Sequence, residues 1–242
     1  MKNEIRILLT LLLVFLGIIA AFYKGHFKFN QPPRPAESQE SPVLGIDVSS
    51  HQKEIKWREI DPKQVQFVYI KATEGSKFKD KKFLSNWNEA RKYAFPTGAY
   101  HFFSFCKSAK EQAKNFIETV PYKPNALPPV LDLEDEANCK SGKTKEAIVA
   151  EIETLQQILF NKYQKKPILY MTEEFYYIYS MAQFKENPLW ISAFYQEPNL
   201  QNGKWLFWQY SYKGFIKGID TNVDLNVFNG TAADFGKFIK QN

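Results

Sequence analysis

The feature that most constrains the fold of this chain is a recurrence of short β-rich runs across residues 43–242. They are VLGID (43–47), VQFVYIK (65–71), TGAYHFFSF (97–105), PVLDLE (129–134), KPILYM (166–171), PLWISA (188–193), WLFWQY (205–210) and a final stretch over 216–228. Helical patterns separate several of them. The clearest runs from about Thr144 to Tyr163, where Ile148, Ile152, Leu155, Leu159 and Tyr163 recur at spacings of four and three; others cover 83–94 and about 108–120. Alternating strands and helices predict a mainly parallel sheet, and eight strands in one domain predict a closed barrel. The later strands have too little chain between them for full helices. The expected class is therefore α/β: an irregular, TIM-like (β/α) barrel with eight strands and fewer than eight helices. With 44% hydrophobic residues the chain can fill such a core, and only 11 glycines argue against an all-β array of tight turns.

Residues 1–42 read differently. ILLTLLLVFLGIIAAFY (7–23) is uncharged and mostly apolar after Lys2, Glu4 and Arg6, long enough to run about 25 Å as a helix. It is expected to be an uncleaved membrane anchor; a cleaved signal is the alternative, disfavoured because a signal's apolar core is shorter and ends in small residues. Residues 24–42 lack an aliphatic run and crowd Pro32, Pro33, Pro35 and Pro42, the composition of a stiff linker. The expected organisation is thus an anchor or signal (1–23), a Pro-rich linker (24–42) and a barrel (43–242), exported and held outside the cytoplasm. The +6 net charge leaves an excess of +4 on residues 43–242, which selects no partner by itself. No basic cluster interleaved with aromatics and no phosphate-cradling glycine loop is present, so nucleic acid is not expected.

Chemistry in such barrels gathers where strands end at their carboxyl side. Asp47 ends the first run, Lys71 and Glu74 the second, Asp132 and Glu134 the fourth and Gln209 the seventh; His101 lies in the third and Asp224 in the last. The sharpest signal is Asp132-Leu133-Glu134. Residues i and i+2 of a strand share a face, so both acids are expected to point into the barrel while Leu133 packs outward. Two adjoining carboxylates cannot both stay comfortably ionised, and one is expected to hold a proton. Glycoside hydrolysis uses that division, with one acid giving a proton to the leaving oxygen and an ionised partner working at the anomeric carbon.

Six segments in order, GIDVSSHQ (45–52), IKATEG (70–75), GAYHF (98–102), LDLE (131–134), LWISAFY (189–195) and NVDLNVF (222–228), resemble glycoside hydrolase family 25, the N-acetylmuramidase lysozymes. The resemblance covers essentially all of 43–242. It implies an irregular β/α barrel that cleaves the β-1,4 bond between N-acetylmuramic acid and N-acetylglucosamine in peptidoglycan glycan strands, without a cofactor. It puts Glu134 on the general acid and Asp132 on the carboxylate that acts as nucleophile or orients the substrate's N-acetyl group. Asp47 and Asp224 fall on further acidic positions of the groove. Where the family often continues HQ with glycine and an IDW segment, this chain reads HQKEIKW, bringing Lys53 and Lys56 near the rim.

Tyr100, Tyr170, Trp190 and Trp208 lie on or beside strand ends and are candidates to stack on sugar rings, with Trp190 foremost; Gln209 is a further substrate-binding candidate. His101, without a serine or cysteine signature nearby, reads as a hydrogen-bonded structural histidine. Cys106 and Cys139 follow the third and fourth strands, so a disulfide between adjacent loops is possible in an exported domain. No metal site is expected from three histidines and no paired cysteine spacing. The chain is expected to be a monomer. Competing readings are a wall-binding module without catalysis and a chitinase-like glycosidase. The latter's motif needs a further acid two positions before Asp132, where Val130 stands.

Overall fold

The structure is a computed structural model, and the described residues are 42–241 without 136, 137, 140, 141, 180, 185, 195 and 202. The expected anchor and most of the expected linker lie outside them. Among the described residues no helix is long and apolar enough to cross a membrane.

The strands are β1 (Val43–Val48), β2 (Phe67–Glu74), β3 (Phe78–Lys79), β4 (Thr97–Phe102), β5 (Val130–Leu133), β6 (Ile168–Thr172), β7 (Leu189–Ser192), β8 (Trp205–Gly214) and β9 (Val223–Phe228). The helices are α1 (Phe83–Lys92), α2 (Ala109–Thr119), α3 (Lys145–Tyr163), α4 (Glu173–Ile178) and α5 (Ala232–Gln241), with short 3-10 turns besides. The sheet order β1-β9-β8-β7-β6-β5-β4-β2 is closed by the β1–β2 pairing, and β3 adds a two-residue hairpin beside β2. The result is an eight-stranded barrel with five α-helices among the described residues, as the strand pattern predicts. Two details depart from it. β9 spans only Val223–Phe228 and runs antiparallel to both its neighbours, because a short turn rather than a crossover helix follows β8. β8 in turn runs on to Gly214, beyond the expected end at Tyr210.

Strand parity divides the apolar residues into two cores. Outward-facing Leu131, Leu133, Leu169, Met171 and Ile191 pack beneath helix residues such as Ile152, Leu155 and Leu159 of α3. α3 is started by Thr144, whose hydroxyl caps Ala147 N–H, and ended by Gln164 in the left-handed conformation (φ 56°). Inward-facing Phe67, Tyr69, Val130, Ile168, Tyr170, Trp190 and Phe207 fill the barrel. Space for these rings comes from two inward glycines. A Cβ on Gly45 would lie 2.3 Å from the Phe67 ring, and one on Gly98 2.1 Å from the Tyr69 ring. At the amino end of the parallel strands, Phe235 and Phe238 of α5, one helical turn apart, stack among Phe67, Phe207 and Phe228. Helix α5 closes the floor, and the opposite end stays open for a site.

Candidate active site

At the carboxyl mouth the inward parity that buries rings lower down delivers polar groups. Asp47 is inward on β1, Asp132 on β5, Gln209 on β8, and Asp224 and Asn226 on β9. They surround a cavity of about 240 Å³ lined by Asp47, Tyr100, Val130, Asp132, Glu134, Tyr170, Trp190, Phe194, Gln209 and Asp224. Eight of the catalytic and substrate-binding candidates of the sequence (Asp47, Tyr100, Asp132, Glu134, Tyr170, Trp190, Gln209 and Asp224) therefore meet in one cavity, and Trp208 does not. In the closed ring of strands β5 stands across from β9, so Asp132 and Glu134 face Asp224 and its neighbour Asp47.

Asp47 and Asp224 are register partners on adjacent antiparallel strands, which sets their side chains together on the inner face. Asp47 Oδ2 accepts hydrogen bonds from Asn226 Nδ2 at 2.8 Å and Gln209 Nε2 at 3.1 Å. Each amide is itself held. Trp190 Nε1 donates to Asn226 Oδ1 at 3.0 Å, and Tyr170 and Ser192 hydroxyls donate to Gln209 Oε1 at 2.9 and 3.1 Å. Burial raises both carboxyls. Asp224 is pushed up to about 9, next by the charge of Asp47 and by its hydrogen bond to that residue. The pair thus rests with the proton on Asp224 and the charge on Asp47, where three donors converge.

The pair on β5 is treated differently. Burial, then the charge of Glu134, holds the Asp132 carboxyl well above the usual range, and the Lys71 ammonium pulls the other way. Asp132 is hydrogen-bonded to Glu134, yet its Oδ1 is buried without a partner among the described residues. Glu134 lies one residue beyond the strand and is more exposed. The sequence analysis expects one acid of this pair to hold a proton, and burial raises the deeper Asp132. Lys71, on the inner face of β2, pairs with Glu74 at 2.8 Å and lies 5.1 Å from the centre of the Phe102 ring.

Trp190 is only 2% exposed and forms part of the cavity floor and the Asn226 relay, so it orients the site more than it offers a sugar a face. Trp208 lies outside the site. It neighbours the inward Gln209, so it points outward, where its Nε1 donates to Ala193 O at 2.6 Å. His101, beside the inward Tyr100, is likewise outward and fully buried. Thr73 Oγ1 (2.7 Å) and Gln112 Oε1 (3.1 Å) hold its two ring nitrogens, and burial lowers it to about 4. Of the rim lysines, Lys53 is exposed at a left-handed φ of 58°, and Lys56 N–H donates to Gly218 O at 2.8 Å, tying the loop after β1 to the loop before β9.

Cys106 and Cys139 form a disulfide with Cα atoms 6.1 Å apart. Beside it Asn138 knots two loops: Nδ2 donates to Glu134 O (2.9 Å) and Phe103 O (2.8 Å), and Oδ1 accepts from Phe105 N (3.0 Å). The segment that carries Glu134 is thereby fastened to the segment after β4. The residues missed by sequence reasoning are Asn226, Ser192 and Phe194. Two of them have a signal: Asn226 is two beyond Asp224, Ser192 two beyond Trp190, and a strand period of two puts them on the inner face, whereas Phe194 lies past the end of β7.

A closed barrel with paired carboxylates at its carboxyl mouth defines a barrel glycosidase. Residues 46–219 match the family described as "Glycosyl hydrolases family 25", and the chain belongs to that family. It is 35% identical over 203 residues to "Uncharacterized protein YegX" of Escherichia coli strain K12, covering 81% of this chain and 73% of that protein. To "Lysozyme M1" of Streptomyces globisporus it is 31% identical over 216 residues, 82% and 71% of the two chains. Among solved structures it is similar to a family 25 glycosyl hydrolase from Bacillus anthracis, with TM-score 0.77, 38% identity, and coverage of 86% of this chain and 98% of that one. The protein is a glycoside hydrolase.

Proposed function

We propose that the protein is a lysozyme that hydrolyses the β-1,4 bond between N-acetylmuramic acid and N-acetylglucosamine in peptidoglycan, with Glu134 as general acid and Asp132 as the assisting carboxylate. The observation that carries the assignment of roles is the unequal setting of the two acids: Asp132 deep with one oxygen unpartnered, Glu134 at the mouth. The hydrogen-bonded pair holds one proton between its two carboxyls. When a glycan strand enters, the glycosidic oxygen meets the shallower Glu134, which gives that proton up as the bond breaks. Asp132 is left ionised beside the anomeric carbon, where it attacks directly or steers the substrate's N-acetyl group; mass analysis for a glycosyl adduct on Asp132 distinguishes these. Water then enters, Glu134 takes back a proton, and the resting pair is restored. Asp47, kept charged by Asn226 and Gln209, supplies a fixed negative field opposite the reacting carbon.

The test is digestion of isolated peptidoglycan with mass analysis of the released muropeptides. New reducing ends on muramic acid are the expected result. Reducing glucosamine ends, or released stem peptides, overturn the reading, and sedimentation with the wall without any release makes the protein a binder only.

Because the substrate lies outside the cytoplasm, the enzyme works as an exported protein. Residues 7–23 serve as its membrane anchor and 24–42 as a stiff spacer of at most roughly 60 Å, which lets the barrel reach glycan at a distance from the bilayer. Protease treatment of isolated membranes is expected to release an intact barrel; recovery of the whole mature protein in the soluble fraction overturns the anchor.

A further inference from the structure

The strand order sets two ends to the trench as well as two sides. With the acids of β5 facing those of β9 and β1, the remaining axis runs from β7 and β8 on one rim to β2 and β4 on the other. The β7–β8 end carries a run of exposed rings. Phe194, two residues beyond β7, lines the cavity and is 37% exposed. Its ring meets that of Tyr212 at 4.8 Å between centres, edge to face. Tyr212 is 48% exposed and stands on the part of β8 that overshoots the barrel; Phe215 on the same hairpin is 80% exposed and continues the apolar edge. Lys213 places its ammonium 4.9 Å from the centre of the Tyr212 ring. β8 has ten residues against four in its partner β7, so its overshoot extends past β7 and is paired on the β9 side alone, Ser211 with Leu225 and Gly214 with Val223. Clustered apolar rings left in water beside a cavity mark a binding edge.

From this continuity, and resting on the muramidase reading above, we infer that Phe194 and Tyr212 form a saccharide subsite beyond the cleavage point, so that the glycan strand lies along the β7/β8 to β2/β4 axis. The occupant is a further pyranose of the same strand. Its apolar ring face packs on the aromatic pair, and its anionic substituents, the carboxylates that muramyl residues carry, fall near Lys213.

The experiment measures kcat/KM for the full chain on defined soluble peptidoglycan oligomers of increasing length. With the wild-type protein kcat/KM is expected to climb with length. Tyr212→Ala is expected to abolish the climb, losing roughly tenfold on the longest oligomer and less than about twofold on the shortest one cleaved, the scale of one aromatic contact. Tyr212→Phe, which keeps the ring, is expected to retain it. Equal fractional loss at every length, an undiminished climb in Tyr212→Ala, or no climb in the wild type overturns the subsite while leaving the muramidase reading in place. Failure of the wild type to cleave any oligomer overturns that reading and the subsite with it.

Discussion

The two acid pairs across the trench are built on opposite plans. Asp47 and Asp224 are brought together by strand pairing and then satisfied by the protein, with Asn226 and Gln209 on Asp47 and the proton on Asp224. Asp132 and Glu134 are brought together by the strand period alone, and the protein leaves Asp132 Oδ1 without a donor. A buried oxygen without a partner costs free energy, commonly about 1–3 kcal/mol. Among the described residues one carboxylate is thus satisfied three times over while Asp132 keeps an oxygen without a partner. The contrast supports the proposed division of roles, in which the satisfied pair is electrostatic framework and the pair on β5 does the chemistry.

Glu134→Gln gives the largest expected effect. It keeps the shape of the side chain and removes the transferable proton, so kcat is expected to fall by roughly two to four decades, the usual share of general acid catalysis, while the thermal midpoint holds. Near-normal wall lysis by this variant abolishes the distinction between the pairs.

The pH dependence of stability probes the framework pair. The raised Asp224 carboxyl binds a proton in the folded chain at pH values where the unfolded chain, with an ordinary carboxyl of 3.8, has released it. Stability is thus greatest at the acid end and falls as pH rises toward about 9. Between about pH 6 and about pH 8 this one group contributes at most about 3 kcal/mol of loss. Asp224→Asn retains a donor for Asp47 and does not titrate, so thermal unfolding across that range is expected to show a shallower decline than in the wild type. An unchanged slope shows that the proton is not where burial puts it.

The smallest effect is expected from Asn226→Leu, which strands the Trp190 N–H and removes one donor from Asp47. A loss of about 1–3 kcal/mol in denaturant unfolding is expected, with a reduced but measurable kcat. If this variant is as inactive as Glu134→Gln, Asn226 belongs to the reacting side and the contrast between the pairs has to be redrawn.

Much of this was legible in the residues because it depends on short-range periodicity. The β-rich runs and the i, i+3, i+4 stripe of α3 reflect local geometry, and so does the common face of Asp132 and Glu134. The antiparallel direction of β9 was not, since direction depends on whether the connection can span a crossover, and 216–228 carries no mark of where turn gives way to strand. Parity, applied strictly, separates Gln209 from Trp208 and Tyr100 from His101, and it would also have named Asn226. What no pattern carries is depth. Burial raises the Asp132 carboxyl because that group lies further from water than Glu134, although the two stand only two residues apart along the chain.

The floor of the barrel has a consequence for how the protein is made. Phe235 and Phe238 follow every strand in the chain, yet they seat against Phe67, Phe207 and Phe228, contacts that span most of the sequence. β9 and α5 lie only a few residues apart, so the last stave and the floor come into place together, and until they do the rings of the other strands lack their final neighbours. Contacts so distant in sequence slow folding in general, and the interval before closure is where this chain is expected to be most prone to aggregation.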